Sequence, residues 1–286
     1  MKVSSLAVFP IKGCRGIDLA RASVGPYGLQ GDREWQLVEG NGEFVTQRTQ
    51  PRLATVQPAL AEGGVLLRAE GMADLFVERP ARADQTAKTY SGPVTVGDAG
   101  DAAARWFSDV LGADVRLVGI APGYERATGI FATESNLGDV APVLVISAAS
   151  HRYLAERAKE PFGIDRWRAN VVVDGDGVEP FVEDTWRAVR MGACDVSLVF
   201  PWPRCAVPQV DQVTGARHKE PAVVLKAHRW CTQVDSEDPM VQMIVPGNTL
   251  FGMAGAIEPE GATLAVGDDV EVLSTAPALL PFAPAG

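Results

Sequence analysis

Residues 201–208 place Cys205 directly after Arg204 in a proline-rich segment. Each proline removes a backbone donor and fixes its own φ, so this segment cannot form the interior of a helix. A thiolate attacks electrophiles and binds soft metals, and the neighbouring Arg204 can stabilise it. The alternative is a buried structural thiol, because free cysteine is among the most buried residue types. Cys205 is therefore the first candidate for chemistry in the chain.

Composition limits the ligands that the protein can bind. The chain has 286 residues, 47% hydrophobic and 22% charged, which is ordinary for a globular protein with one large or two smaller domains. Its net charge is −10 at pH 7. A nucleic-acid partner is therefore not expected, and an anionic ligand must be met by a local cluster of cations.

The cysteines and the N-terminus indicate the compartment. Cys14, Cys194, Cys205 and Cys231 are scattered, without C-x-x-C or paired-ligand spacing. This argues against zinc, iron–sulfur clusters and a disulfide scaffold, and it favours a reducing compartment. The apolar run at 6–9 is too short for a signal peptide, and no run approaches the ~20 apolar residues of a membrane span. We expect a cytoplasmic protein without membrane association.

The first half of the sequence has the spacing of short strands. An Asn41-Gly42 turn joins two of them in a hairpin. Strands are expected at 3–8, 35–38, 44–48, 54–60, 64–68, 94–96 and 114–118. This pattern predicts a small barrel or sandwich rather than βαβ units. Apolar residues recur at helical spacing in 101–111, which predicts one core-facing helix ended by Gly112.

Residues 121–139 are rich in glycine and polar side chains, and we place the domain boundary there, although the stretch can instead lie across a site. Beyond it, Ser147 is expected to cap a helix over 148–159, with His151 in its exposed first turn. Strands are expected at 143–146, 167–175, 188–191, 196–200 and 270–273. Residues 274–286 are rich in alanine and proline, which is typical of a frayed tail.

The sequence lacks the motifs of several enzyme classes. There is no Walker loop, no G-x-G-x-x-G after a strand, no H-E-x-x-H and no G-x-S-x-G. A Cys-His hydrolase using Cys205 with His218 or His228 remains open, but the sequence gives no geometry for it.

Several spaced motifs resemble the MOSC domain, the C-terminal domain of molybdenum cofactor sulfurases. They are Trp167-Arg168-Ala169-Asn170, the segment 180–186, Arg204-Cys205, Val210-Asp211, Thr214-Gly215 and Lys219-Glu220-Pro221. The first half resembles the MOSC N-terminal β-barrel domain through Pro10-Ile11-Lys12, Arg15-Gly16, Gly31-Asp32-Arg33, Val45-Thr46 with Arg48, and Pro51-Arg52-Leu53. The resemblance implies a mainly β (α+β) fold. It consists of an N-terminal β-barrel domain over 1–120, a MOSC β-barrel domain with a few helices over 121–275, and a disordered tail over 276–286.

The resemblance also implies a cofactor site. It implies a molybdenum cofactor, a molybdopterin whose metal is bound by Cys205, which then serves as metal ligand and catalytic residue. The residues that match cofactor-binding positions are Lys12, Gly13, Arg33, Asp139, Arg168, Asn170, Arg204 and Cys205. Arginine suits the cofactor's phosphate because its planar fork donates two hydrogen bonds at once. Asp211 and Asp139 are candidates for moving protons, although either can equally be a turn residue.

The sequence departs from the family pattern in its hydroxyl groups. Gly13 and Pro203 stand where the family often has serine, and Val140-Ala141 replaces a pair that commonly carries hydroxyls. The chain also shows neither the cluster cysteines of a ferredoxin-like domain nor a desulfurase domain. We therefore expect no iron–sulfur cluster and no pyridoxal phosphate.

The function implied is reduction of N-hydroxylated small molecules, such as amidoximes, hydroxylamines and N-hydroxylated bases. Electrons are then expected from a separate ferredoxin-, flavin- or cytochrome b5-type protein. One alternative is a carrier of sulfur or of the molybdenum cofactor that uses Cys205. A metal-free binding module is the other.

Overall fold

The computed structural model describes residues 1–128, 135–139 and 141–280. Strands dominate these residues and helices are few and short, which confirms the mainly β fold class. Val140, part of the expected boundary stretch 121–139 and the end of the expected tail lie outside the described residues. The domain bounds therefore stay predictions.

The strands of the first half are β1 (Lys2–Val8), β2 (Ile17–Leu19), β3 (Arg21–Gly25), β4 (Gly28–Leu29), β5 (Trp35–Val38), β6 (Phe44–Val45), β7 (Gln57–Ala61), β8 (Gly64–Arg68), β9 (Leu75–Glu78), β10 (Gln85–Thr89), β11 (Gly92–Asp98) and β12 (Arg116–Gly119). Those of the second half are β13 (Val143–Ser147), β14 (Val171–Asp174), β15 (Trp186–Met191), β16 (Cys194–Pro203), β17 (Trp230–Cys231), β18 (Asn248–Glu258), β19 (Thr263–Ala265) and β20 (Val270–Thr275). The α-helices are α1 (Asp101–Leu111), α2 (Ala148–Ala155), α3 (Ala222–His228) and α4 (Pro239–Ile244).

One large sheet carries strands from both ends of the sequence. Its order is β2, β1, β14, β13, β18, β16, β15 and β20, with β17 also paired to β18. The first strand, β1, pairs antiparallel with β14, so the start of the chain is built into the sheet of the second half. Val3 donates to the carbonyl of Asp268 and accepts from Gly267, near the start of β20. The large sheet therefore curls until its two ends meet.

A second sheet, in the order β10, β11, β12, β5 and β6, belongs to the first half. Helix α1 packs against this sheet through the buried side chains of Ala103, Trp106 and Phe107, which lie on one face of the helix as their spacing predicts. Gly112 ends α1 in the left-handed region, with its N–H donating to Ser108. The prediction of this helix and of its end is confirmed.

The sequence prediction lacks eight strands and two helices of the structure: β2, β3, β4, β9, β10, β17, β18, β19, α3 and α4. The longest strand of the described residues, β18, lies between β13 and β16 and is buried on both faces, so its sequence shows no alternation of polar and apolar residues. Gly255 within it has no room for a side chain, because an added Cβ would lie 2.6 Å from the carbonyl oxygen of Ser197. The helices α3 and α4 are too short to show a long periodic pattern.

Several predicted bounds were also wrong. The return strand of the first hairpin was expected over 44–48 but ends at Val45. The strand expected over 54–60 begins only at Gln57, because Pro51–Thr55 form a 3₁₀ helix. The strand expected from 167 begins only at Val171. Ser147 does cap α2, but α2 ends at Ala155 rather than near 159.

His151 was expected on the surface, and this was wrong. It is half-buried in α2, and its Nδ1 accepts a hydrogen bond from Trp167 Nε1 at 3.0 Å. Phe162 packs edge-on against the same imidazole, with ring centroids 5.5 Å apart. Burial, with the nearby Arg152, lowers the pKa of His151 to about 4. The neutral ring is therefore part of an aromatic cluster.

This depressed pKa predicts a pH-dependent loss of stability. The unfolded chain binds a proton at His151 near pH 6.5, whereas the folded protein does so only near pH 4. The free energy of unfolding should therefore fall as the pH drops from about 6.5 to about 4, by about 1 to 2 kcal/mol after allowance for partial solvent exposure. Urea titrations of the parent and of His151→Gln should show this slope in the parent and a shallower one in the variant.

His218→Gln is the matched control, because His218 lies exposed near Glu160. That variant should keep the parent slope. A His151→Gln protein with the parent's full slope would contradict the assignment.

The motif 180–186 holds the large sheet together. It forms a 3₁₀ helix in which Asp184 is fully buried and contacts the buried guanidinium of Arg229. The Arg229 guanidinium also lies 4.3 Å from the centre of the Phe181 ring. Glu183 accepts hydrogen bonds from the Ser147 N–H and the Ser150 hydroxyl, which anchors α2. This motif is a structural ion-pair network.

None of the helices in the described residues is long and apolar enough to cross a bilayer.

Candidate functional site

A cleft opens where β1 ends, β14 begins and β16 leaves the large sheet. The structure brings to this cleft every residue predicted for the site except Asp211: Lys12, Gly13, Arg33, Asp139, Arg168, Asn170, Arg204 and Cys205. Their shared position follows from the topology, because the end of β1 lies beside the start of its antiparallel neighbour β14. Residues far apart in the sequence thus line one cavity.

Cys205 is the exposed thiol among the cysteines, since Cys14, Cys194 and Cys231 are buried. Burial raises the pKa of the Cys14 thiol to about 12, which keeps it protonated and inert. Arg204, just before Cys205, is fixed to β18 by its N–H, which donates to Thr249 at 2.8 Å. Cys205 therefore lies at the end of a rigid strand pair and faces solvent.

Arg48 is a cation of the cleft that interacts electrostatically with this thiol. This interaction raises the pKa of Arg48 against the opposing effect of burial. A thiolate at Cys205 would therefore have a charged donor beside it, which is the setting of a reactive or metal-binding cysteine.

Arg33 is held in place from several sides. Its Nη1 donates to Asp32 at 2.5 Å and to the Asn170 side-chain oxygen at 3.2 Å, and its Nη2 donates to the Arg168 carbonyl. Asp32 is itself buried and accepts the N–H of Phe9. The Asn170 amide donates to the Ala7 carbonyl, so most of its hydrogen bonds stay within the protein. Asn170 therefore positions Arg33.

Arg168 lies deeper, with 7% of its surface exposed. Its Nη1 donates to the Cys14 carbonyl at 2.6 Å and to the Gln212 side chain at 2.9 Å. Burial and the neighbouring Arg33 lower the pKa of Arg168 to about 9, so it stays charged at pH 7. Two adjacent guanidinium groups in one cleft repel each other unless an anion lies between them.

Both of these arginines have an unusual backbone. Arg33 has φ of 48° and Arg168 has φ of 53°, in the left-handed region that disfavours residues with a Cβ. Each such residue costs on the order of 1–3 kcal/mol, and such conformations cluster at functional sites. The fold therefore tolerates strain to aim two cations at the same cavity.

Arg204 has one guanidinium donor in use and another without a partner among the described residues. Its Nη2 donates to the Trp167 carbonyl at 2.8 Å, but its Nε is buried without a hydrogen-bond partner among the described residues. An unsatisfied buried donor costs about 1–3 kcal/mol. Burial, only partly offset by Cys205, lowers the pKa of Arg204 to about 10, which leaves it protonated at neutral pH. This N–H is therefore available to donate a hydrogen bond to a ligand.

Lys12 and Asp139 form an ion pair on the opposite wall, with Nζ 2.8 Å from Oδ1. Burial lowers the pKa of Lys12, against the effect of Asp139. Burial also opposes ionisation of Asp139, but the Lys12 ammonium and the nearby Arg48 and Arg33 outweigh it and hold its pKa below the ordinary value. The pair is therefore charged, and the remaining cations leave the cleft positive.

These residues fit a phosphate-bearing, thiolate-bound metal cofactor. Among the described residues that line the cleft, the acidic one is Asp139, whereas five are cationic: Lys12, Arg33, Arg48, Arg168 and Arg204. On a chain of net charge −10, this is the local cluster that an anion requires. The unpaired Nε of Arg204 and the exposed thiol add an unused donor and a soft ligand.

Asp211 does not line the cleft. Its carboxylate lies 3.2 Å from the buried Arg166 and accepts the N–H groups of Val213 and Thr214. Burial alone would raise the pKa of Asp211, but these hydrogen bonds outweigh burial and lower it. Asp211 therefore shapes the turn after Cys205, and this geometry gives no support to its predicted role in catalysis.

Sequence reasoning missed several residues of the cleft. Thr46, Arg48 and Trp202 also line it. Arg48 lies in a predicted strand and in a motif of the family, but nothing in its spacing points to Cys205, which is far away in the sequence. Trp202 stacks on Phe200, with ring centroids 5.7 Å apart, and its position in the proline-rich segment 201–208 gives no sign of this role.

Comparison with known families agrees with this architecture. Residues 1–114 match the family model described as the MOSC N-terminal beta barrel domain, and residues 132–271 match the MOSC domain. A cattle protein is 32% identical over 94% of this chain and 82% of its own length. The chain belongs to the MOSC family. The resemblance drawn from the sequence motifs is therefore confirmed.

Three relatives of this MOSC protein carry two kinds of name. The cattle protein is named mitochondrial amidoxime reducing component 2, and a mouse protein, 30% identical over 95% of this chain and 82% of its own, is named mitochondrial amidoxime-reducing component 1. A zebrafish molybdenum cofactor sulfurase is 28% identical over 77% of this chain but only 29% of its own length.

The departures from the family pattern fall partly inside the cleft. Gly13 lines it with φ of 88°, and a Cβ there would lie 3.0 Å from Leu53, so a side chain at this position would be strained. Pro203 ends β16 opposite Leu250 and has no N–H to donate. Val140 lies outside the described residues.

Proposed function

We propose that this MOSC protein binds a molybdenum cofactor and reduces N-hydroxylated small molecules, such as amidoximes, hydroxylamines and N-hydroxylated bases. The observation that carries the proposal is the exposed Cys205 thiol in a cleft lined by five cationic side chains. The names of the amidoxime-reducing relatives, at about 30% identity, support the reaction class.

The overall reaction is balanced by two electrons and two protons. An amidoxime R–C(=NOH)NH₂ takes up both and yields the amidine R–C(=NH)NH₂ and water, with cleavage of the N–O bond. The cofactor, when bound, supplies the two-electron redox centre that accepts the substrate oxygen. The chain supplies the remaining conditions.

Cys205 would hold the metal, because a rigid thiolate is a suitable ligand for a soft site. Arg33, Arg168 and Arg204 would bind the anionic phosphate, with Asn170 and Asp32 fixing Arg33. Lys12 with Asp139 lies close enough to the cleft to exchange protons with a bound substrate.

Electrons would come from a separate protein of the ferredoxin, flavin or cytochrome b5 type. The sequence shows no cluster motif of its own, which motivates this part of the proposal. We also propose a cytoplasmic location, because the cysteines are scattered without paired spacing.

Reduction of benzamidoxime by protein purified from a cofactor-producing host tests the function. With a chemical reductant such as reduced methyl viologen, benzamidine should appear with multiple turnovers per bound molybdenum. Protein that carries molybdenum but forms no amidine from any amidoxime and no amine from any hydroxylamine tested would refute the proposed reaction.

A second function is a sulfur or cofactor carrier in which Cys205 holds a persulfide. The exposure of this thiol beside Arg48 favours it, because a carrier must present its sulfur to another protein. Intact-protein mass spectrometry distinguishes the two. An added 32 Da on Cys205 in molybdenum-free protein would favour the carrier, since a carrier needs no bound metal to hold sulfur.

A further inference from the structure

Two aromatic rings stand beside the cleft without any assigned role. Tyr90 lies at the tip of the hairpin between β10 and β11 and is 54% exposed. Phe44 lies on β6, and the two ring centroids are 5.3 Å apart with a tilt of 48°. An exposed tyrosine whose ring is paired on one side still has contact area available on the other.

Cations of the cleft hold this ring pair in place. Lys12 Nζ lies 4.3 Å from the centre of the Phe44 ring, and the Arg48 guanidinium carbon lies 5.4 Å from the centre of the Tyr90 ring. Both cations line the cleft that contains Cys205. Tyr90 also interacts electrostatically with Asp139 and Cys205. The ring pair therefore continues the cleft wall from Cys205 towards solvent.

The charges around the rings select among ligands. Lys12 and Arg48 already occupy cation–π positions, so a cationic ligand would meet repulsion there. A neutral, flat π-system would instead stack on the exposed part of Tyr90 and cover apolar surface. An aliphatic group of the same polarity would gain less, because it lacks the stacking geometry.

We propose that Phe44 and Tyr90 form an aromatic platform that selects neutral planar substrates, with an aromatic or heteroaromatic ring on Tyr90 and the N–OH group directed towards Cys205. The proposal deepens the proposed function and rests on it, because it names the class of N-hydroxylated substrate that this cleft prefers. Tyr90 is then a specificity determinant and Phe44 supports it.

Steady-state kinetics with a matched substrate pair tests the platform. In the molybdenum-loaded enzyme, Tyr90→Leu should raise the KM for benzamidoxime about 3- to 10-fold, the value of one lost stacking contact. Its kcat for benzamidoxime and its KM for acetamidoxime should stay at the parent values. Tyr90→Phe should behave as the parent, because it keeps the ring.

Phe76→Leu is the control variant, since Phe76 is a comparably exposed ring, 46% accessible, on β9. It should leave both substrates unaffected. An equal KM increase for the aromatic and the aliphatic substrate in Tyr90→Leu would overturn the platform, as would no change for either.

Calorimetric binding of benzamidoxime to the oxidised, molybdenum-loaded protein, without an electron donor, provides a readout free of turnover. The Kd should rise in Tyr90→Leu by the same factor as KM. In Tyr90→Phe it should stay at the parent value. Tyr90-dependent binding without reduction would retain the platform and refute the reductase. Reduction with an unchanged ratio of the two KM values would retain the reductase and refute the platform.

Discussion

Replacing Cys205 with alanine is expected to abolish amidoxime reduction and to reduce the bound molybdenum to background. The thiol is the exposed sulfur in the cleft, and in the proposed function it is the ligand through which the metal would be attached to the chain. Its loss removes the attachment rather than weakening a contact, so we expect a decrease in kcat of at least about 1000-fold, the range seen when a group of a catalytic unit is removed. Elemental analysis and single-turnover kinetics measure the two effects.

The fold should survive this change, because Cys205 is exposed and its neighbours are fixed through backbone hydrogen bonds. The thermal midpoint should therefore match that of the parent. Cys194→Ala is the control, since this cysteine is buried in β16 far from the cleft and should leave molybdenum content unchanged. Full activity in Cys205→Ala would refute the role of this residue.

Replacing Arg48 with glutamine should slow alkylation of Cys205 by iodoacetamide about 10-fold at pH 7 in cofactor-free protein. The thiolate is the reacting species, and the Arg48 guanidinium interacts electrostatically with the sulfur, so its loss removes a favourable interaction with the charged form on the order of 1.5 kcal/mol. In protein from a cofactor-producing host, the same variant should retain less molybdenum, because the cleft loses one of its five cations.

Arg52→Gln provides the comparison, since Arg52 is an exposed arginine four residues further along that does not line the cleft. It changes the net charge of the protein by the same amount. Equal alkylation rates in the two variants would show that Arg48 acts through general charge rather than through its contact with Cys205.

The sequence predicted much of this site because its residues carry recognisable chemistry. Cys205 between prolines, Arg168 before a strand and Lys12 after the first strand each stood in a motif, and the structure brings all three to one cleft. The motifs do not show which residues from other parts of the chain lie close to Cys205. Arg48 follows β6 and Tyr90 lies between β10 and β11, and the fold brings both close enough to interact electrostatically with Cys205, which no local sequence pattern reports.

Two residues have partners that the sequence does not show. Asp211 is a candidate for moving protons by its residue type, and this role stays a prediction, but local N–H donors and Arg166 occupy its carboxylate. His151 was placed on the surface from its position in the first turn of α2, but Trp167 and Phe162 fold over it from a later segment. In both residues, partners in three dimensions decide the role.

Metal and pterin content measured together is the most direct test of the account. Protein expressed in a host that makes molybdopterin should contain about one molybdenum and one pterin per chain, as expected for a site with one cysteine ligand, by elemental analysis and by fluorescence of the oxidised pterin, and both should be lost in Cys205→Ala. A folded parent protein that lacks both from that host would contradict the account and favour the carrier or a metal-free binding module.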